Sequence, residues 1–224
     1  MEINLNTHIA LLLSFPQKQK SRSYSILRWL PTCVGITIVN ILLISCSYIP
    51  TASLPKATSW DQHQKSINNL TVWHAIGKIG FTNGNQGGSA SLDWQQKKNN
   101  FTLNLYGPFK TENIRITGKP GVIYLSTSDG IQQTANTPEE VIEKQLGWNV
   151  PVTGLIYWSK GIPIPGEPSD LIQLSKENRL TRLVQHGWNI EYHEYKAFDQ
   201  FILPTKITLQ YEKIKIKLIF KSWT

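Results

Sequence analysis

Cysteine is almost missing from this chain. Its two cysteines, Cys33 and Cys46, lie in the first quarter of 224 residues, so no disulfide framework spans the rest, and stability must come from a core. Charge of one sign never accumulates either. The formal net charge is +8, but no block of like charges appears, and the alternation at Lys213, Lys215 and Lys217 reads as a solvated face or a weak attraction to anionic lipid rather than a nucleic-acid site. Motifs for chemistry are missing as well: no G-x-S-x-G elbow, no P-loop, no H-E-x-x-H and no dinucleotide fingerprint. His63, His74, His186 and His193 stand in separate segments without ligand spacing. Glu139, Glu140 and Glu143 form an acidic group, of which the first two are explained by a helix start. No catalytic residue, metal or cofactor is expected.

The chain also lacks an apolar run long enough to span a bilayer, which takes about 20 residues. The strongest candidate, Ile36 to Ser45, is interrupted by Asn40 and preceded by Pro31 and Gly35. It follows a lead-in whose only charges after Glu2 are Lys18, Lys20, Arg22 and Arg28, the order of a secretory signal. Its end, Leu43-Ile44-Ser45-Cys46, resembles the bacterial lipobox, in which the cysteine is acylated and cleavage falls just before it. Residues 1–45 are thus expected to be a lipoprotein signal peptide and Cys46 the lipidation site, the alternative being a signal anchor kept as a transmembrane helix, for which the run is short and interrupted. Residues 46–58 carry Pro50 and Pro55 and no periodicity, as a flexible tether does. The remainder is long enough for one sizeable core.

Ser59 caps an expected helix from Trp60 to about Leu70, with Trp60, Ile67 and Leu70 on one stripe. From Val72 the period becomes two. Trp73, Ala75, Gly77, Ile79 and Phe81 share a face, as do Ala90, Leu92 and Trp94, then Phe101, Leu103 and Leu105, then Ile114 and Ile116. Short strands are expected at Val122 to Leu125 and Ile131 to Thr134. Thr137-Pro138-Glu139-Glu140 starts a helix with Val141, Ile142 and Leu146 as its stripe, and a further short helix is expected near Thr153 to Trp158. Five more strands follow, near Asp170 to Leu174, Leu180 to His186, Trp188 to Tyr195, Pro204 to Tyr211 and Lys213 to Lys221. The last sets Ile214, Ile216, Leu218 and Phe220 against lysines. The count is eleven antiparallel strands and about three short helices. A sheet of that size curls, and it either closes into a filled sandwich or barrel or keeps a cavity under a helical cover. The tryptophans, Trp148 and Trp158 among them, suit a ligand site or an aromatic core equally. In Gly107-Pro108-Phe109-Lys110 turn chemistry accounts for Gly and Pro but not for the phenylalanine beside them; a Phe109 folded back onto the sheet and one standing out into acyl chains, with Lys110 at the headgroups, fit equally.

A lipobox, the helix pattern Trp60-x-x-His63-x-x-x-Ile67-x-x-Leu70, the strand Ala90 to Gln96, the tip Gly107-Pro108-Phe109 before Thr111-Glu112, and the turn Pro120-Gly121 together resemble the LolB family over about residues 46 to 224. The resemblance implies a mainly β domain over residues 59–224, a single curved antiparallel sheet of about eleven strands (an incomplete barrel) with a helical lid over an apolar cavity. It implies an outer-membrane lipoprotein on the periplasmic face that receives lipoproteins from the carrier LolA and inserts them into the outer membrane. Its partners would be cargo-loaded LolA and outer-membrane lipids, with no nucleic acid, and the chain a monomer. Gly107, Pro108, Phe109 and Lys110 would form the membrane-insertion loop, where Phe109 stands in place of the family's usual leucine. Candidates for lining the acyl-chain cavity are Trp73, Leu92, Trp94, Phe101, Leu103, Leu105, Ile114, Ile116, Ile214, Ile216 and Leu218. Readings of other kinds are a lipid or glycolipid carrier lipoprotein with no protein cargo, a surface lipase or esterase, which lacks a nucleophile motif, and a purely structural envelope lipoprotein.

Overall fold

In the computed structural model the described residues are 59–107, 113–146 and 150–224. The signal peptide, Cys46, the tether and Pro108, Phe109 and Lys110 of the tip loop lie outside them. Helix α1 (Trp60–Asn68) begins where the sequence places it, with the Ser59 hydroxyl accepting from the Gln62 amide at 3.2 Å. Eleven strands follow: β1 (Val72–Asn83), β2 (Gln86–Lys97), β3 (Asn100–Tyr106), β4 (Asn113–Lys119), β5 (Val122–Thr127), β6 (Gln132–Ala135), β7 (Leu171–Leu174), β8 (Leu180–Gln185), β9 (Trp188–Phe198), β10 (Phe201–Tyr211) and β11 (Ile214–Trp223). Between β6 and β7 stand α2 (Pro138–Leu146) and α3 (Val152–Trp158). The α2 start is a capping box: the Thr137 hydroxyl accepts from the Glu140 amide, and the Glu140 carboxylate accepts from the Asn136 amide, both at 3.2 Å.

All eleven strands form one antiparallel sheet in the order β6-β5-β4-β3-β2-β1-β11-β10-β9-β8-β7, open at both edges. Neighbours in sequence pair as hairpins, except β6 and β7, which stand at opposite edges, and at the centre β1 meets β11 across the length of the domain. Tight turns follow local chemistry. His186 and Gly187, at φ 52° and 75°, close β8 onto β9 in two left-handed residues. Irregularities in three pairings adjust the sheet, one of them between β7 and β8 at Gln173 and Leu174. The register shifts between β1 and β11 at Ile76 and Gly77, and between β9 and β10 at Pro204 to Lys206, where proline has no amide to give the ladder.

One face of this sheet is apolar from β5 to β8, and most of its side chains form one large core cluster with Ile67 of α1 and Trp158 of α3. The sheet is curved, and the helices record by how much. Laid flat, β5 and β9 would stand seven spacings apart, about 34 Å. Helix α2 packs on β5, β6 and α3, and the Glu139 carboxylate accepts from the Thr153 backbone amide at 2.7 Å and from its hydroxyl. Five residues on, Trp158 reaches β8 and β9: its indole Nε1 donates to Gln185 Oε1 at 2.9 Å, and its carbonyl accepts from the Tyr192 hydroxyl at 3.0 Å. A span of about 10 Å of helix plus side chains thus joins strands that a flat sheet would hold much farther apart.

Candidate functional site

The inner face is the candidate site, and cross-strand register shows how the sequence builds it. Gln96, Trp94 and Leu92 of β2 stand opposite Trp73, Ala75 and Gly77 of β1. On the other side of β2, Phe101, Leu103 and Leu105 of β3 face the same three residues in turn. Ile116 and Ile114 of β4 continue the rows, and Ile216 and Leu218 of β11 meet Phe81 and Ile79. All eleven residues named as cavity candidates therefore lie on one face of β1 to β4 and β11. The sequence reading left out the other half of that face, Leu183, Ile190, Tyr192, Ile207 and Leu209, all buried; the alternation in β8 to β10 already carried that signal.

The two ends of the inner face differ. Toward the β2–β3 turn its interior is filled by buried aromatic rings, outside which an open depression of about 790 Å³ runs past Trp73, Phe101 and Gly118. Trp73, Trp94 and Trp223 pack as a cluster, with the Trp73 ring 5.0 Å from Trp94 and 5.1 Å from Trp223. Phe101 lies over Gly118, where a methyl group would sit 2.1 Å from the ring. Toward the opposite end, where Tyr106 and Asn113 bracket residues 107–112, the face is only half covered. Ile79, Phe81, Leu105 and Ile114 surround buried Ala90 and are themselves half-buried, and Ile214 is likewise half-buried. Leu103, midway, is half-buried too, whereas Trp73, Leu92, Trp94, Phe101, Ile116, Ile216 and Leu218 are buried.

Polar groups in the interior serve mainly as fasteners. Gln185 is fully buried and uses its whole amide: its oxygen accepts from Trp158 Nε1 and the Ile164 amide, and its nitrogen donates to the carbonyls of Ile164 and Glu167. Lys160, buried just beyond α3, donates to the carbonyls of Ile67 and Leu70 at 3.4 and 3.1 Å, so a cation holds the C-terminal end of α1. Burial pushes its pKa down to about 8. His63 on α1 is buried beneath Trp60, and burial, followed by the Arg179 charge, lowers its pKa. The indole N–H groups of Trp73 and Trp94 find no acceptor among the described residues. Sequence reasoning missed Lys160 and Gln185 because neither interrupts a pattern in a way that marks burial.

These features define a class: open, curved, single-sheet half-barrels, with one continuous apolar face turned inward beneath short helices. The chain matches the family model described as outer membrane lipoprotein LolB over residues 71–223. It is 36% identical over 165 residues to the outer-membrane lipoprotein LolB of Stutzerimonas stutzeri, covering 74% of this chain and 80% of that protein. The same-named proteins of Pseudomonas paraeruginosa and Chromohalobacter salexigens are 34% and 29% identical over 75% and 85% of this chain, and 81% and 88% of theirs. Among solved structures, a LolA-superfamily protein from Nitrosomonas europaea aligns at a TM-score of 0.43 and 10% identity, over 75% of this chain and 94% of that one. This chain belongs to the LolB family.

Proposed function

We propose that this chain is a lipid-anchored receptor on the periplasmic face of the outer membrane, which accepts lipoproteins from the carrier LolA and inserts them into that membrane as a monomer. Residues 1–45 would be the signal peptide, Cys46 the acylated terminus, residues 46–58 the tether and residues 59–224 the lipoprotein-binding domain. The observation that supports this best is the graded inner face, filled by packed tryptophans at one end and half covered by Ile79, Phe81, Leu105 and Ile114 at the other. Burying an acyl chain is worth ~0.8 kcal/mol per methylene, so a multiply acylated protein needs cover while it crosses water. A face with few directional polar groups takes anchors without regard to the protein they carry. Release then runs down a gradient of affinity toward the bilayer.

In this reading Gly107, Pro108, Phe109 and Lys110 form the insertion loop. The test mixes the full chain with a LolA–lipoprotein complex and liposomes, and follows cargo at each step. Wild type should take cargo and deliver it. Phe109→Glu should take cargo normally but deliver it poorly, because a carboxylate carried into the bilayer is penalised, by less than the ~2 to 4 kcal/mol of Arg or Lys at full depth, while its thermal stability stays near wild type. Phe109→Leu should keep most delivery. Delivery by the glutamate variant at the wild-type rate would remove the insertion role from this loop. Failure of cargo to move from LolA at all, with lipid still bound, would favour a carrier without protein cargo.

A further inference from the structure

The inner face leaves a second feature unused, on the opposite side of the same central strands. Lys215, Lys217 and Lys221 of β11, with Lys213 just before it, project outward at alternate positions. Successive outward residues on a strand stand about 6.8 Å apart, which makes a row. Lys78 of β1 joins it, paired with Ile219. None of these five lysines makes an ion pair with a carboxylate among the described residues; the one cation bridged on this flank is Lys206, 3.6 Å from Glu194. The acidic groups nearby are few: Glu191 and Glu194 on β9, Glu212 in the β10–β11 turn, and Asp93 on β2, which is engaged with His74 at 3.0 Å.

Two further observations make this more than a solvated stripe. The face also exposes large aliphatic side chains, Ile76 and Ile219, at 43% and 44%. Beside Lys215 and Lys217 the surface sinks into a depression of about 370 Å³, bordered by Gly80, Thr82, Gly87 and Ser89. Gly80 and Gly87 stand where side chains would otherwise fill it. Unpaired cations, exposed aliphatics and an open hollow with hydroxyls on one face suit the boundary of a bilayer, where lysines meet phosphates and apolar tips enter the acyl margin. Among the described residues no row of aromatic side chains lies here to stack nucleic-acid bases. Register carries Asn113 and Tyr106 through Ser91 and Lys78 to Ile219, so Lys217 and Lys215 run on past the half-covered end of the inner face, and a domain resting on the row would bring that end close to the same surface.

We propose that the outer face of β1 and β11, centred on Lys215 and Lys217, docks on an anionic lipid surface through its phosphate headgroups. The attraction is independent of cargo, so it stands or falls apart from the transfer role. The test reconstitutes the full chain into vesicles of phosphatidylcholine, with or without phosphatidylglycerol, and reads the rate at which an amine-reactive reagent labels each lysine. On anionic vesicles the labelling of Lys78, Lys215, Lys217 and Lys221 should slow several-fold relative to Lys97 and Lys119, which lie at the other end of the sheet, and raised salt should abolish the difference. Lys215→Glu with Lys217→Glu should lift the protection of Lys78 and Lys221, whereas Lys97→Glu with Lys119→Glu should leave it in place; since each lysine near such a surface is worth about fivefold in binding, the first variant should lose most of the effect. Equal labelling on both vesicle types would overturn the proposal. So would protection on zwitterionic vesicles by inorganic phosphate at matched ionic strength, which marks a small-ion site, or by added LolA alone, which marks a protein surface.

Discussion

Lys160 is the residue whose chemistry is most exposed to measurement. Buried among apolar neighbours, its ammonium gains two carbonyl partners but loses its water, and the loss wins, so its pKa falls from 10.5 to about 8. In that window the unfolded chain binds the proton and the folded chain does not, so folding is favoured increasingly as pH rises from about 8 to 10.5. At full strength the change amounts to about 3 kcal/mol. Urea denaturation should therefore show wild type gaining stability over Lys160→Met across that range, and parallel pH profiles would show that the charge is not buried as described. Nothing in the sequence marks this lysine. It stands in Trp158-Ser159-Lys160-Gly161, between a helix and a proline-rich turn, and only the approach of α1 makes it interior. Trp73 and Leu92 were legible because alternation declares which way a strand residue points, and no such period covers residues 159–170.

At the scale of the element, β1 carries its own test. Gly77 faces inward at the register shift, and a methyl group there would lie 2.2 Å from the Ile219 backbone oxygen, whereas at Gly80 the nearest atom is 3.8 Å away. Gly77→Ala should cost about 3 kcal/mol, because backbone on backbone cannot give way, and Gly80→Ala should be neutral or stabilising by about 0.5 kcal/mol. Chemical denaturation of the pair distinguishes the close approach from a general intolerance of side chains in this strand. Strand count and inward faces were readable because each strand carries its own alternation and most turns their own Gly, Asn or Pro. The Pro204 irregularity was not: the sequence reading starts the strand at Pro204, whereas β10 begins at Phe201, and only its pairing with β9 reveals the shift. The acids of α2 were legible in half: Glu140 caps its own helix, as a helix start predicts, but Glu139 leaves its helix to hold the first turn of α3.

For the whole molecule, that contact joins the two wings of the sheet. If the Glu139–Thr153 link fixes the curvature, Glu139→Ala combined with Thr153→Val should loosen the cover while leaving the strands paired. A hydrophobic dye should then bind several-fold more strongly, with the far-ultraviolet dichroism of the sheet unchanged. Unaltered dye binding would assign the curvature to the strands alone. The choice between a closed barrel and an open one was out of reach of the sequence because both use the same alternating strands. Only the edges distinguish them, and β6 and β7 are four residues each.

The central seam between β1 and β11 sets the order in which this molecule is able to assemble. Every other pairing joins sequence neighbours and can form as soon as its hairpin exists. Ala75 and Phe81, by contrast, wait for Trp223 and Ile216, and closing a loop of that length comes late in folding. A chain made from its N-terminus therefore holds β1 to β6 as a wing with one apolar face uncovered and a bare edge at β1 until β11 has emerged. As it emerges from export the protein passes through the very condition it is proposed to relieve in others, and its vulnerability to aggregation is greatest just before β11 arrives.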